Sequence, residues 1–210
     1  GLELTPQEIR NAVYQGYATD TIKSMAKLPE FIRATGGKIS TSRMQDRDFV
    51  SRFVAFYLID YSKYQPGLDD FINRSMDLLE KEDAKDIENK FKKALNLSYE
   101  IFEEDAFRKR TDTNDKRRPI NKAYFEVITV FFAKLSESEE ELLLENKETL
   151  KNNLIELIRN DRYSNALSRG TGTKDSVNIR FSWFEQVLNK SIEGINIIIS
   201  DDNKIEDIRL

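Results

Sequence analysis

The stretch RKRTDTNDKRR, Arg108 to Arg118, sets six basic residues against two acidic ones. Such side chains neutralise phosphates. Arg108, Lys109, Arg110, Lys116, Arg117 and Arg118 are therefore candidate nucleic-acid contacts that hold a backbone without reading bases. The same spacing also suits a solvated, mobile loop. The aromatics around it (Tyr99, Phe102, Phe107, Tyr124, Phe125) fall on helix stripes and belong to the core. A second candidate is RGTGTKDS, Arg169 to Ser176. Its glycines free backbone N–H groups, its threonines add hydroxyls, and the helix that follows favours negative charge at its start. The plain alternative is an interhelix loop capped by Asp175 or Ser176. ATGGKIST, Ala34 to Thr41, fails as a phosphate loop, because Ile32 and Ile39 stand where that loop needs glycine and serine or threonine. It reads as a helix end and a loop.

The acidic residues offer less. Asp69-Asp70 and Asp201-Asp202 are adjacent pairs that diverge on a helix, and neither has a partner at metal-ligand spacing, so no metal site is expected. The chain has no histidine and no cysteine. That removes Ser-His and Cys-His nucleophile pairs, imidazole and thiolate metal ligands, disulfides, and the histidine base of many small metal-dependent nucleases. The expectation is that no catalytic residue and no cofactor belong to these residues.

These loops need elements to carry them, and the composition says helices. The 210 residues suffice for one large domain or two small ones and bury roughly 70% of the unfolded surface. Eight glycines and four prolines are too few for the turns of an all-β fold. The apolar runs are too short to span a membrane. The net charge of −4 is uneven: against the basic run stands SESEEELLLENKE, Ser136 to Glu148, with six acids and one base. Opposed local fields on a nearly neutral chain suit orientation toward a partner.

Thr5, Pro6 and Glu8 make a capping box at the start of a helix that runs toward Gly16. Helices follow from Asp20 to Pro29 and over EFIRATGG. Gln45 to Tyr64 reads as the central core helix, with Phe49, Val50, Phe53, Val54, Phe56 and Tyr57 on a broad apolar face. Another opens at Pro66, and a long one runs from Asp83 to about Phe107. PINKAYFEVITVFFAKL is buried on most sides. Glu137 to Glu141 form the acidic first turn of a helix and its loop. Asn146 to Arg159 and VNIRFSWFEQVLNKSI complete the set. The expectation is an all-α bundle of about eight helices over residues 1–194. A tail over 195–210 is either irregular or a short strand pairing across Asp201-Asp202-Asn203.

Four phrases in order, LTPQEIRNAVYQG, RMQDRDFVSRFVAFY, RRPINKAYFEVITV and GTGTKDSVNIRFSWFEQVL, resemble the C-terminal helical half of the bacterial domain-of-unknown-function family numbered 262. That family is related to the N-terminal part of the GmrSD type IV restriction system. The resemblance covers about residues 1 to 193. It implies that a ParB-like domain, with an Asp-Gly-Gln-Gln-Arg motif tied to nucleotide-dependent or nuclease activity, precedes the first helix. Gly1 then reads as the end of the joining turn or as a cloning remnant. Neither that motif nor the histidine-containing nuclease module of some members occurs in this sequence. The resemblance therefore implies a non-catalytic domain of a cytoplasmic, bacterial restriction or phage-defence protein. It would pack on the N-terminal domain and hold DNA through the basic run.

Carried over by position, the resemblance also gives Glu8, Arg10 and Asn11 a place facing the preceding domain. It marks Arg52 as a half-buried cation in need of a carboxylate or carbonyl, Asn121 as a helix cap, and Thr171 and Arg180 as the Gly/Thr loop and the helix behind it. The competing reading is a protein-interaction scaffold whose charged faces dock other subunits without touching DNA. A third is a carboxylate-metal hydrolase, sensitive to EDTA.

Overall fold

The computed structural model describes residues 3–208, so Gly1 lies outside the described residues. The chain folds into helices α1 (Pro6–Val13), α2 (Tyr17–Met25), α3 (Pro29–Ala34), α4 (Gln45–Leu58), α5 (Leu68–Leu79) and α6 (Ala84–Phe102). After the basic loop come α7 (Lys122–Lys134), α8 (Glu137–Glu145), α9 (Lys147–Arg159), α10 (Asp161–Ala166) and α11 (Lys174–Ile192). Strands β1 (Ile197–Ile199) and β2 (Ile205–Asp207) then pair antiparallel, with Ile198 opposite Glu206. The fold is the expected all-α bundle with a short β tail, and among the described residues no helix is long and apolar enough to cross a membrane.

Capping residues set most helix starts. The Thr5 hydroxyl accepts from the Glu8 N–H at 3.2 Å, and the Glu8 carboxylate accepts from the Thr5 N–H at 2.7 Å. Ser136 and Glu139 repeat this box at α8. Several boundaries differ from the sequence reading: α5 begins at Leu68 rather than Pro66, and α6 ends at Phe102 rather than about Phe107, where Glu103 (φ +51°) leaves helical backbone. α2 begins at Tyr17 rather than Asp20, because Gly16 (φ +117°) turns the chain directly into it. α4 stops at Leu58, six residues before Tyr64. Ile59 is extended there, and the Asp60 side chain accepts from the Ser62 N–H, starting a separate 3₁₀ turn.

The centre of the bundle is α7, not α4. Every residue from Ala123 to Ala133 is buried, and α7 packs against α4, α6 and α11. On one side the Phe125 ring meets Phe31, Phe49, Phe91 and Phe107. On another, Phe131 packs on Phe181 and Phe184 of α11. The tail is tied to α9 by one buried amide. The Asn153 side chain donates to the Ile195 carbonyl at 2.8 Å and accepts from the Ile197 N–H at 3.0 Å.

The first capping box carries a pH signature. The Thr5 backbone N–H, and then the Arg43 guanidinium, hold the Glu8 carboxyl down at about 2 against an ordinary 4.5. The folded value is the depressed one, so this contribution is complete above pH 4.5 and is lost as the pH falls toward 2. Glu8→Gln should flatten that part of the acid limb when urea midpoints are followed against pH. Superimposable profiles for wild type and variant would rule the capping carboxylate out as a contributor.

Candidate functional site

Residues 103–121 form a loop tied to the fold at both of its ends. An antiparallel bridge joins Arg108 to Ile120, and the Asn121 N–H donates to the Phe107 carbonyl at 2.9 Å. Inside the loop the cations find acids. Arg110 pairs with Asp105 at 2.7 Å, Arg117 with Glu104 at 2.5 Å and Asp105 at 3.3 Å, and Arg118 with Asp115 at 3.0 Å. Arg108 donates to the Glu104 carbonyl at 3.0 Å and to the Arg118 carbonyl. Lys109 reaches the Ser168 hydroxyl at 2.6 Å, while Lys116 is exposed. The acids Glu104 and Asp105 lie just outside the basic run, so the sequence window hid part of its neutralisation.

Three of the six expected residues nevertheless converge. Arg108, Arg117 and Arg118 line an open cleft of about 540 Å³ together with Lys38 and Lys122, and no acidic side chain lines it. Lys38 comes from the α3–α4 loop, just after Gly36 and Gly37, which take left-handed backbone (φ +58° and +62°). Lys122 is the first residue of α7, a helix capped by the Asn121 side chain on the Tyr124 N–H at 2.8 Å. It pairs with Asp48 at 2.5 Å and lies 5.3 Å from the Phe49 ring centre. The acids Glu104 and Asp105 raise the pKa of Arg117, but Arg108 and Lys109 feel their cationic neighbours. Burial and then the Arg117 charge lower the pKa of Arg108, and burial and then Arg118 lower that of Lys109. An anion placed in the cleft would relieve that repulsion and meet the positive end of α7. The chemistry this set supports is phosphate binding.

The remaining polar residues build the scaffold. Arg52 finds the carboxylate it needs: it donates to Glu126 at 3.2 Å and lies 3.5 Å from Asp48. Burial opposes its charge, but Glu126 and Asp48 together hold its pKa above the ordinary arginine value. Glu126 also pairs with Arg180, and both side chains are 0% exposed. Arg180 in turn donates to the Thr171 carbonyl at 2.7 Å, and the Tyr64 hydroxyl donates to the Gly172 carbonyl at 2.7 Å. These bonds turn the Gly/Thr loop's carbonyls inward and make it a clamp on α11. Its helix cap is Thr173, accepting from the Ser176 N–H, rather than Asp175 or Ser176.

Glu8, Arg10 and Asn11 do not face outward from α1. Glu8 pairs with Arg43, and Asn11 accepts from Arg47 at 2.5 Å. Arg10 is buried between Asp69 at 3.0 Å, Asn73 at 2.9 Å and Gln7 at 2.5 Å. Burial lowers the Arg10 pKa, while the nearest carboxylate, Asp69, opposes the fall. The large apolar residues left exposed on α1 are Ile9 and Val13, with Leu4 before the helix and Tyr17 after it. Sequence reading missed Glu126, Asp48, Lys38 and Lys122. Only Glu126 carried a signal, as a lone acid in an otherwise apolar helix. Among the described residues no group of three acidic side chains is arranged to hold a metal ion. Comparison with protein-family models, with curated proteins and with solved structures finds no match to this chain.

Proposed function

We propose that this chain is a non-catalytic helical domain that holds nucleic acid by its phosphates. In this reading it serves a bacterial restriction or defence-type protein of the cytoplasm, packed beside a ParB-like catalytic domain as the sequence resemblance implies. The observation that carries it is the cleft, where Lys38, Arg108, Arg117, Arg118 and Lys122 meet from separate segments with no acid in the lining. The exposed apolar residues Leu4, Ile9, Val13 and Tyr17 supply a face for the neighbouring domain. That same face favours the second reading, a protein-interaction scaffold without nucleic acid.

Fluorescence anisotropy with labelled duplex and single-stranded DNA at low and moderate salt separates the two. Each phosphate neutralised adds a slope of about −0.9 to log K against log salt on a duplex. Arg117→Ala/Arg118→Ala should therefore flatten the slope by roughly two and weaken binding further by freeing Glu104, Asp105 and Asp115. Absence of binding at low salt would leave the scaffold reading standing.

A further inference from the structure

The five cations of the cleft are not equally engaged. Arg117 is paired with Glu104 and Asp105, Arg118 with Asp115, and Lys122 with Asp48. Lys38 and Arg108 line the same cleft, and among the described residues neither forms an ion pair. Arg108 donates to two backbone carbonyls, those of Glu104 and Arg118, which orient its guanidinium without balancing its charge. Glu104 and Asp105 act on it from further off, yet burial and Arg117 leave its pKa lowered. The start of α7, which brings Lys122 into the lining, adds roughly half a positive charge. The unmet charge is therefore about two, gathered around one open volume of about 540 Å³.

That count selects among phosphates. A phosphodiester inside a strand carries one negative charge, and successive ones are strung out along the chain. A terminal phosphomonoester carries about −1.5 to −2 near neutral pH, because its second pKa is about 6, and it offers three acceptor oxygens. The apolar part of the lining, Ile39, Phe49, Pro119 and Ile120, gives contact to the sugar that bears it.

We infer that the cleft seats the terminal phosphate of a nucleic-acid strand, a phosphomonoester dianion whose two charges are matched by Lys38 and Arg108. This rests on the phosphate-holding reading above and adds to it a preference for strand ends.

A pH series can read that charge. Histidine is the side chain whose ordinary pKa lies between 5 and 8, and this sequence has none. The groups around the phosphate are the five cations, with Glu104, Asp105, Asp115 and Asp48 behind them. Burial opposes the Asp48 charge, but Arg52 and Lys122 hold its pKa down, and Thr111 holds down that of Asp115. The preference for an end is therefore complete above the phosphomonoester's own pKa of about 6 and is lost as the pH falls below it.

The experiment follows the anisotropy of internally labelled oligothymidine strands with the whole chain, since thymine does not titrate in this range. The strands end in a 5′-phosphate, a 3′-phosphate or hydroxyls only. At about pH 7.5 one of the phosphorylated strands should bind about tenfold or more tightly than the hydroxyl strand. The gap should shrink severalfold at about pH 5. Lys38 is exposed, so Lys38→Ala tests the site without risk to the fold; it should narrow the gap, and Lys38→Arg should restore it. Equal affinity for all three strands, still weakened by Arg117→Ala/Arg118→Ala, overturns the end site and leaves the phosphate cleft standing. A gap that neither pH nor Lys38→Ala alters overturns the charge match. Binding of no strand overturns both readings. Thymidine monophosphate carries the same dianion without a strand. It should displace the phosphorylated strand only in large excess, and displacement at equal concentration overturns the assignment to a strand.

Discussion

Glu126→Ala should cost about 3–5 kcal/mol of folding stability, read as a lowered urea midpoint with an unchanged slope. The size follows from what stays behind. Arg52 keeps a second acid, Asp48 at 3.5 Å, and is near enough to the surface to recover water. Arg180 has neither refuge. It is 0% exposed, lies 5.8 Å from the ring centres of both Phe56 and Phe181, and would retain only the Thr171 carbonyl. A buried cation without a counter-charge costs far more than the net value of the pair it came from. Glu126→Leu/Arg180→Met should therefore recover most of the loss, since apolar groups of similar volume leave no charge stranded. If the double variant is no more stable than Glu126→Ala, the effect lies in packing rather than in the orphaned guanidinium.

Phe125→Ala, one residue earlier on α7, should cost a similar 3–5 kcal/mol by another route. Its ring centre lies 4.7 Å from that of Phe107, 5.1 Å from Phe49, 5.9 Å from Phe31 and 6.2 Å from Phe91. These rings come from the basic loop, α4, α3 and α6, so the cavity left behind would touch four segments at once. Because Phe107 anchors the loop, amide exchange should quicken over 108–120 before the rest of the fold responds. Phe125→Leu should fall between wild type and alanine in a denaturant titration. Equal stability for the alanine variant and wild type would mean that the surrounding rings collapse freely into the gap.

What could be read from the sequence was what local chemistry decides. Thr5 and Glu8, or Asn121 before α7, act within four residues, and their types and spacing announce them. Arg52 announced a need, since a cation among phenylalanines must have a partner, but not the partner's position. Glu126 is 74 residues away from Arg52 and 54 from Arg180, and no local pattern spans such separations. The basic cleft was half legible for the same reason. Arg108, Arg117 and Arg118 stood out as a run. Lys38 looked like an ordinary loop residue, because its meaning lies in which loop folds beside which. The end of α4 was missed where two local signals compete. The aromatic periodicity continues to Tyr64, but Asp60 draws the Ser62 N–H to itself and breaks the helix first.

The burial of α7 on every side also has a consequence for the order of synthesis. Its cover on one flank, α4 and α6, leaves the ribosome before it does. The other flank, with Phe131 and the Glu126 carboxylate, waits for Phe181, Phe184 and Arg180 on α11. At roughly 5–20 residues per second, the about forty residues between the end of α7 at Lys134 and the start of α11 at Lys174 take several seconds to emerge. During that interval the nascent chain carries a carboxylate that only Arg52 of α4 can pair, in the middle of an open apolar furrow. A growing chain in that state is a natural client for chaperones that shield apolar surface, and it settles only when the last long helix arrives.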